Sequence, residues 1–104
     1  MKILFDQGTP APLRIALNQH TVATAYDLGW TEFDNGKLLA AAETKFDVLI
    51  TTDKNLRYQQ NLGARRLAIL VLPTTNWPEL RVHESRIVAA VEELQPGQLV
   101  ELKL

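Results

Sequence analysis

The sequence predicts an α/β fold: a three-layer sandwich with a mainly parallel central sheet of about five strands. Short apolar runs alternate along the chain with segments of helical periodicity, as they do when each strand is followed by a crossover helix. One run, residues 67–72, is apolar throughout, which is typical of a strand buried on both faces of a parallel sheet. The chain has 104 residues, enough for one core, so we expect a single domain over residues 1–104.

The first segments predict a strand, a helix and a second strand. Residues 2–5 form an apolar run that predicts the first strand. Thr9 is a good helix cap and Pro10 suits a first helical turn, so we expect the first helix from there to residue 18. Residues 21–25 begin with a threonine and a valine, and they predict the second strand.

The middle of the chain predicts a loop, a helix and the third strand. Residues 26–35 are mostly polar and predict the loop. Residues 36–45 keep helical spacing and are rich in alanine, which favours a helix. Residues 48–52 predict the third strand, and residues 55–61 predict a short helix that Gly63 closes.

The last part of the chain predicts the fourth strand, a long helix and an edge strand. The fully apolar run ends at Pro73, which cannot donate to a sheet. Residues 78–94 place apolar side chains at helical spacing, and Pro96 followed by Gly97 ends that helix. Residues 99–103 alternate between apolar and polar side chains, which is typical of an edge strand.

Composition and charge exclude several classes of protein. Hydrophobic residues make up 46% of the chain, which favours a packed globule over disorder. No apolar run approaches the roughly 20 residues that cross a bilayer, so we expect no membrane contact. Cysteine is absent, which excludes disulfides and thiolate metal sites and fits a cytoplasmic protein. The net charge is −1, so any binding of nucleic acid has to be local, metal-assisted or helped by a partner.

Two of the apolar strands run directly into an aspartate, Asp6 after the first and Asp53 after the third. In a parallel sheet the carboxyl ends of the strands meet at the edge where such folds bind ligands, so we expect both side chains there. Two carboxylates held together repel, and a divalent cation between them stabilises both. Oxygen ligands without cysteine or paired histidine predict Mg²⁺ or Mn²⁺. For either aspartate alone, a turn or a helix cap is an equally good interpretation.

Asp34 is the third candidate ligand, because it lies just before the helix predicted over residues 36–45. It is also well placed to cap that helix, and a carboxylate has two oxygens with which to do both. Asp47, by contrast, precedes the third strand and is expected about 20 Å from Asp53, outside the site. Glu43 lies further along the helix and is expected on the surface.

Five polar residues that flank the aspartates are candidates for contact with a substrate: Gln7, Thr51, Lys54, Asn55 and Arg57. The two basic side chains can meet a phosphate backbone, and the threonine can orient Asp53 or bond a ligand. The alternative for the basic side chains is an ordinary solvated face, and the alternative for the threonine is a simple preference for strand structure. A divalent ion beside such groups favours hydrolysis of phosphodiester bonds, since it lowers the pKa of bound water and offsets phosphate charge.

Three segments carry a resemblance to a known family. Residues 3–10 (ILFDQGTP) resemble a strand-Asp-Glu-Asn-Leu-Pro start. Residues 26–29 (YDLG), followed by Asp34 and two leucines, are similar to an Asp-x-Gly loop and an Asp-x-x-Ile-Leu helix start. Residues 48–56 (VLITTDKNL) are similar to an apolar strand with a Thr-x-Asp-x-Asp-Phe signature. In this order, the three segments resemble those of a group of small bacterial PIN-like domain proteins.

The resemblance implies an acidic pocket that binds Mg²⁺ or Mn²⁺, with Asp6, Asp34 and Asp53 at the acidic positions. PIN-like domains are α/β sandwiches with a parallel sheet, and many are ribonucleases, including the VapC-type toxins of toxin–antitoxin pairs. The chain departs from the pattern at Gln7, where glutamate is usual, and at Asn55, where a second aspartate is usual. Both changes remove a negative charge, which lowers the expected metal affinity and argues against two metal ions.

We therefore expect a metal-dependent endoribonuclease that hydrolyses RNA phosphodiester bonds. By the same resemblance we expect the toxin of a toxin–antitoxin pair, with RNA as substrate and an antitoxin protein as partner. The apolar fourth strand and the C-terminal helix leave room for a homodimer. The alternative is a catalytically weak or inactive PIN-like module that binds a protein partner. A phospho-receiver domain is disfavoured because Gln7 stands where a receiver needs a second acid, and a dinucleotide-binding fold because the first turn lacks a glycine-rich motif.

Overall fold

The computed structural model describes residues 1–58 and 65–104, without the side chains of residues 57 and 58. Within those residues, five strands form one sheet in which every neighbouring pair is parallel. Their spatial order is β2-β1-β3-β4-β5. The strands are β1 (Lys2–Phe5), β2 (Thr21–Thr24), β3 (Val48–Thr51), β4 (Ala68–Val71) and β5 (Leu99–Glu101). The predicted α/β class and parallel sheet are confirmed.

The helices of the described residues lie on both faces of the sheet. They are α1 (Leu13–Ala16), α2 (Ala25–Leu28), α3 (Asn35–Lys45), α4 (Trp77–Arg81) and α5 (Glu84–Glu93), with a 3-10 helix over Lys54–Tyr58. None of the helices in the described ranges is long and apolar enough to cross a bilayer.

Alternate side chains of the central strands enter two separate cores, because successive residues of a strand point to opposite faces. On one face, Phe5 and Ile50 pack with apolar residues of α1, α4 and α5. On the other, Leu4 and Leu49 pack with residues of α3 and with Leu56 of the 3-10 helix. Every residue of β3 and β4 is buried, which explains why both strands are apolar apart from Thr51.

The first helix differs from its prediction over residues 9–18. α1 is a single turn that starts after Pro12, and Thr9 does not cap it. The Thr9 side chain is buried, and its hydroxyl lies 2.8 Å from both Asp6 Oδ1 and the carbonyl oxygen of Ile50. Thr9 therefore holds the loop after β1 against the end of β3, and the helix begins only where that loop is complete.

Two further elements differ from their predictions. The loop predicted over residues 26–35 contains most of α2, which Thr24 caps with its hydroxyl and Gly29 ends at a φ of 72°. The helix predicted over residues 78–94 is divided at Val82 and His83, where the N–H of His83 donates to Leu80 instead of continuing the helical pattern. Valine and histidine are weaker helix formers than their neighbours, so the interruption falls there.

The remaining predictions agree with the structure or lie partly outside it. α3 begins at Asn35, one residue before its predicted start at Gly36, and β5 is an edge strand as expected. Of the short helix predicted over residues 55–61, the structure describes the part within the 3-10 helix. Its predicted end at Gly63 lies outside the described residues.

Candidate functional site

The carboxyl ends of β1 and β3 bring Asp6 and Asp53 to the same edge of the sheet. The two strands are neighbours and parallel, and Phe5 is paired with Ile50. The backbone N–H of Asp6 donates to the carbonyl of Ile50 at 3.1 Å, so Asp6 leaves its strand beside the end of β3. The sequence prediction that these two acids share one edge agrees with this arrangement.

The Asp6 carboxylate is partly buried and accepts hydrogen bonds at both oxygens. Oδ1 accepts from the backbone N–H of Gly8 at 3.2 Å and lies 2.8 Å from the Thr9 hydroxyl. Oδ2 accepts from the hydroxyl of Thr51. Burial raises the pKa of the Asp6 carboxyl, and the bonds from Thr51, Thr9 and Gly8 oppose that rise without cancelling it. Ionised Asp6 is therefore energetically unfavourable in the folded protein, and a nearby cation would stabilise it.

Thr51 connects the two aspartates through one hydroxyl group. Its side chain is fully buried at the end of β3. The hydroxyl donates to Asp6 Oδ2 and accepts from the backbone N–H of Asp53 at 3.0 Å. The sequence suggested Thr51 as a substrate contact or as a residue that orients Asp53. The structure supports the second role, because a fully buried hydroxyl cannot meet a substrate.

Asp53 is held at both carboxylate oxygens by neutral donors. Oδ1 accepts from the backbone N–H of Asn55 at 2.9 Å, and Oδ2 accepts from the side-chain amide of Asn35 at 2.9 Å. The bond to Asn35 joins the end of β3 to the first turn of α3, 18 residues away in the chain. A carboxylate offers about four acceptor positions, so Asp53 keeps capacity for a further ligand.

Asp34 takes the capping role that the sequence offered as one of its two possibilities. Its Oδ1 accepts from the backbone N–H of Lys37 at 2.8 Å, and its side chain is exposed. The contact from the start of α3 to Asp53 is made by the next residue, Asn35. The structure thus links Asp6 to the backbone of Asp53 through the Thr51 hydroxyl, and it links Asp34 to this edge only through the neighbouring Asn35.

Gly8 allows the loop after β1 to pack closely on the residue that follows Thr51. A Cβ atom at this position would lie 2.5 Å from Thr52 Oγ1 and 3.7 Å from Thr75 Cγ2. The loops that follow β1, β3 and β4 therefore converge at one point beside Asp6. A side chain at position 8 would push them apart.

The other predicted contact residues lie around this edge or outside the description. Gln7, Lys54 and Asn55 are exposed, and the latter two belong to the 3-10 helix that follows Asp53. The side chain of Arg57 lies outside the described residues. Lys54 is thus the exposed cation that the described part of the chain places just after Asp53.

Two acids that the sequence set apart from the site have structural roles elsewhere. Asp47 lies at the opposite end of β3 and accepts from the backbone N–H of Lys2 at 2.8 Å, beside a cleft of about 640 Å³. Glu43, expected on the surface, is partly buried. Its two oxygens accept from the backbone N–H groups of Arg66 and Leu67, which fixes the start of β4.

Sequence reasoning missed two residues of the site, Asn35 and the inward-facing Thr9. An asparagine at a helix start suggests a turn, and a threonine before a proline suggests a cap. The weak signal for both was their position, since Thr9 follows Asp6 and Asn35 follows Asp34 within three residues in the sequence.

The donor atoms fit a hard divalent cation with few protein ligands. Within the described ranges, no group of three or more His, Cys, Asp or Glu side chains is placed to hold a metal ion. Mg²⁺ commonly takes only one or two carboxylates and fills its other positions with water and phosphate. Asp6 and Asp53 each present carboxylate oxygens, which are the ligand type that Mg²⁺ prefers.

Comparisons of this chain with protein-family models, with curated proteins and with solved structures return no match. The fold and the site together define a class: a three-layer α/β protein with two aspartates at the carboxyl edge of a parallel sheet, both hydrogen-bonded to one threonine hydroxyl. Membership of the PIN-like group remains a prediction from the sequence.

Proposed function

We propose that this protein is a metal-dependent ribonuclease of the PIN-like type, in which Asp6 and Asp53 hold Mg²⁺ or Mn²⁺. The observation that supports this most strongly is the hydroxyl of Thr51, which bonds Asp6 and the backbone of Asp53 at the same edge of the sheet. Both acids lie at the edge where parallel α/β folds bind ligands, and a cation there would offset the unfavourable burial of an ionised Asp6.

The residues of the chain would prepare the site in three ways. Thr9 and Thr51 hold the Asp6 carboxylate at both oxygens, so its orientation is set before any ligand arrives. Asp34 caps α3 and thereby fixes the helix whose first residue contacts Asp53. The exposed Lys54 lies close enough in sequence to Asp53 to pair with a substrate phosphate. A bound ion would supply positive charge to the phosphate and lower the pKa of water.

The proposal extends to the partners and the location that the sequence suggested. RNA is the substrate, an antitoxin protein is the partner, a homodimer is the assembly, and the cytoplasm is the compartment. The net charge of −1 argues against a broad basic surface, so we expect any contact with RNA to be small and local.

RNA cleavage with matched variants tests the proposal. Wild type, Asp6→Asn, Asp53→Asn and Asp47→Asn would be purified in parallel and incubated with single-stranded RNA and Mn²⁺, or with EDTA. We expect cleavage by wild type and Asp47→Asn in Mn²⁺ alone, and its loss in the other two variants. Asp47→Asn is the control because it makes the same change at the opposite end of β3. Activity that survives both Asp6→Asn and Asp53→Asn would show that the site is wrongly assigned.

A binding module without catalysis is the second candidate function. It is favoured by the absence of a three-acid group among the described residues and by the neutral side chains of Gln7 and Asn55. Calorimetry that detects no Mn²⁺ binding, together with a tight complex between this protein and the product of a neighbouring gene, would support it over the ribonuclease.

A further inference from the structure

Asn35 is the residue of α3 that touches the candidate site. Its side-chain amide donates to Asp53 Oδ2 at 2.9 Å, and the contact is partly buried. The bond spans 18 residues of sequence, so local chain geometry does not impose it. It is a tertiary contact between the start of a helix and the end of a central strand.

The position of Asn35 follows from the cap beside it. Asp34 accepts from the N–H of Lys37 and begins the helix, so the next residue leaves the first turn in a fixed direction. The carboxylate that the family resemblance offers as a third ligand is thus engaged with its own helix at Oδ1. The neighbouring amide occupies the place beside Asp53 that a third acid was expected to take.

Resting on the proposed function, we infer that Asn35 is a positioning residue for the metal-binding carboxylate of Asp53, in place of a direct ligand role for Asp34. Asn35 and the N–H of Asn55 together hold Asp53 at both oxygens, which fixes the plane of the carboxylate. Both donors are uncharged, so Asp53 keeps its full negative charge for a cation. A lysine or arginine in place of Asn35 would bring a positive charge to Asp53 and so weaken its attraction for a cation.

Removal of Asn35 and its conversion to an acid have opposite expected effects. Hydrogen-bond partners of metal ligands typically contribute about 10–100-fold to metal affinity, so Asn35→Ala is expected to weaken Mn²⁺ binding by about that factor. Asn35→Asp places a second carboxylate against Asp53, and this repulsion favours a bound cation. We expect that variant to bind Mn²⁺ at least as tightly as wild type, while its metal-free form unfolds at a lower temperature.

Asp34→Ser is the matched control. Serine caps a helix about as well as aspartate, so α3 should begin at the same residue. If Asp34 acts only as a cap, the Mn²⁺ dissociation constant should stay within about twofold of wild type. If Asp34 is a ligand, the affinity should fall while the metal-free unfolding temperature stays the same.

Mn²⁺ titration calorimetry on wild type and these three variants tests the inference, with metal-free thermal unfolding of each as the folding control. Weaker binding in Asn35→Ala, unweakened binding in Asn35→Asp and unchanged binding in Asp34→Ser support it. Equal weakening in both Asn35 variants would indicate a merely structural role and overturn it. So would wild-type affinity in Asn35→Ala combined with a loss in Asp34→Ser, and in that case the metal site itself would stand.

A metal-free measurement separates this inference from the proposed function. In ¹⁵N–¹H spectra, the side-chain amide of Asn35 should shift when Asp53 is changed to Ala and stay in place when Asp47 is changed to Ala. If the chemical shift of the Asn35 amide does not change in Asp53→Ala, the contact between Asn35 and Asp53 is wrong, whatever the Mn²⁺ titration gives. If the amide shift does change but the wild type binds no Mn²⁺, the proposed metal-dependent ribonuclease is wrong. The metal-positioning role of Asn35 is then wrong as well.

Discussion

Thr51 donates its hydroxyl hydrogen to the Asp6 carboxylate, and the two residues come from adjacent parallel strands 45 positions apart in the chain. The same hydroxyl accepts from the backbone N–H of Asp53. One buried side chain therefore joins the Asp6 carboxylate to the backbone of Asp53. This relationship leads to the first prediction.

Thr51→Val should destabilise the fold by about 1–3 kcal/mol, because it leaves Asp6 Oδ2 and the Asp53 N–H without their shared partner at nearly constant volume. Urea unfolding measures the change. Thr21→Val is the control, since Thr21 is exposed on the edge strand β2 and the same substitution there should change stability by less than about 0.5 kcal/mol. Equal effects at the two positions would show that the Thr51 hydroxyl has no special role.

The stability of the metal-free protein should depend on the ionisation of Asp6. Its pKa in the folded protein is raised above the usual value of 3.8 by burial, so the folded state binds more protons than the unfolded state between those two pKa values. The free energy of unfolding should therefore fall as the pH rises from about 3.8 through the folded-state pKa, and the loss should remain at higher pH.

Asp6→Asn isolates this contribution. Relative to the wild type in EDTA, the variant should become progressively more stable as the pH rises through the same window. Denaturant unfolding of both proteins from pH 3 to about pH 8 measures the difference. A difference that is constant with pH, or that changes in the opposite direction, would contradict the burial of an ionised Asp6.

Gly8→Ala should destabilise the fold by about 1–3 kcal/mol, because the new Cβ would meet Thr52 Oγ1 at 2.5 Å. Thr52→Ala removes that oxygen, so the double variant should recover part of the loss. A double-mutant cycle from unfolding data should give a coupling of at least about 0.5 kcal/mol. Additive effects would mean that the loops that contain Gly8 and Thr52 are not in close contact.

The sheet was predictable because its strands have strong local signals. The segments that form β3 and β4 are apolar apart from Thr51 and have no helical periodicity, and burial on both faces of a parallel sheet explains them. The acid at the end of each neighbouring strand then placed Asp6 and Asp53 at one edge without knowledge of any contact. The start of α3 was predictable for the same reason, since Asp34 is a strong cap.

The parts that could not be predicted depend on contacts between distant residues. Thr9 has the local features of a helix cap, and only the position of the carbonyl of Ile50 turns its hydroxyl inward. Asn35 has the features of a turn residue, and only the packing of α3 beside β3 brings its amide to Asp53. Periodicity and spacing carry no information about either contact.

Titration of Mn²⁺ into the purified protein tests the central claim, that Asp6 and Asp53 hold one ion together. Calorimetry should detect binding to the wild type and to Asp47→Asn, and neither Asp6→Asn nor Asp53→Asn should bind measurably while both remain folded. Identical binding curves for all four proteins, or no binding to the wild type, would contradict the claim.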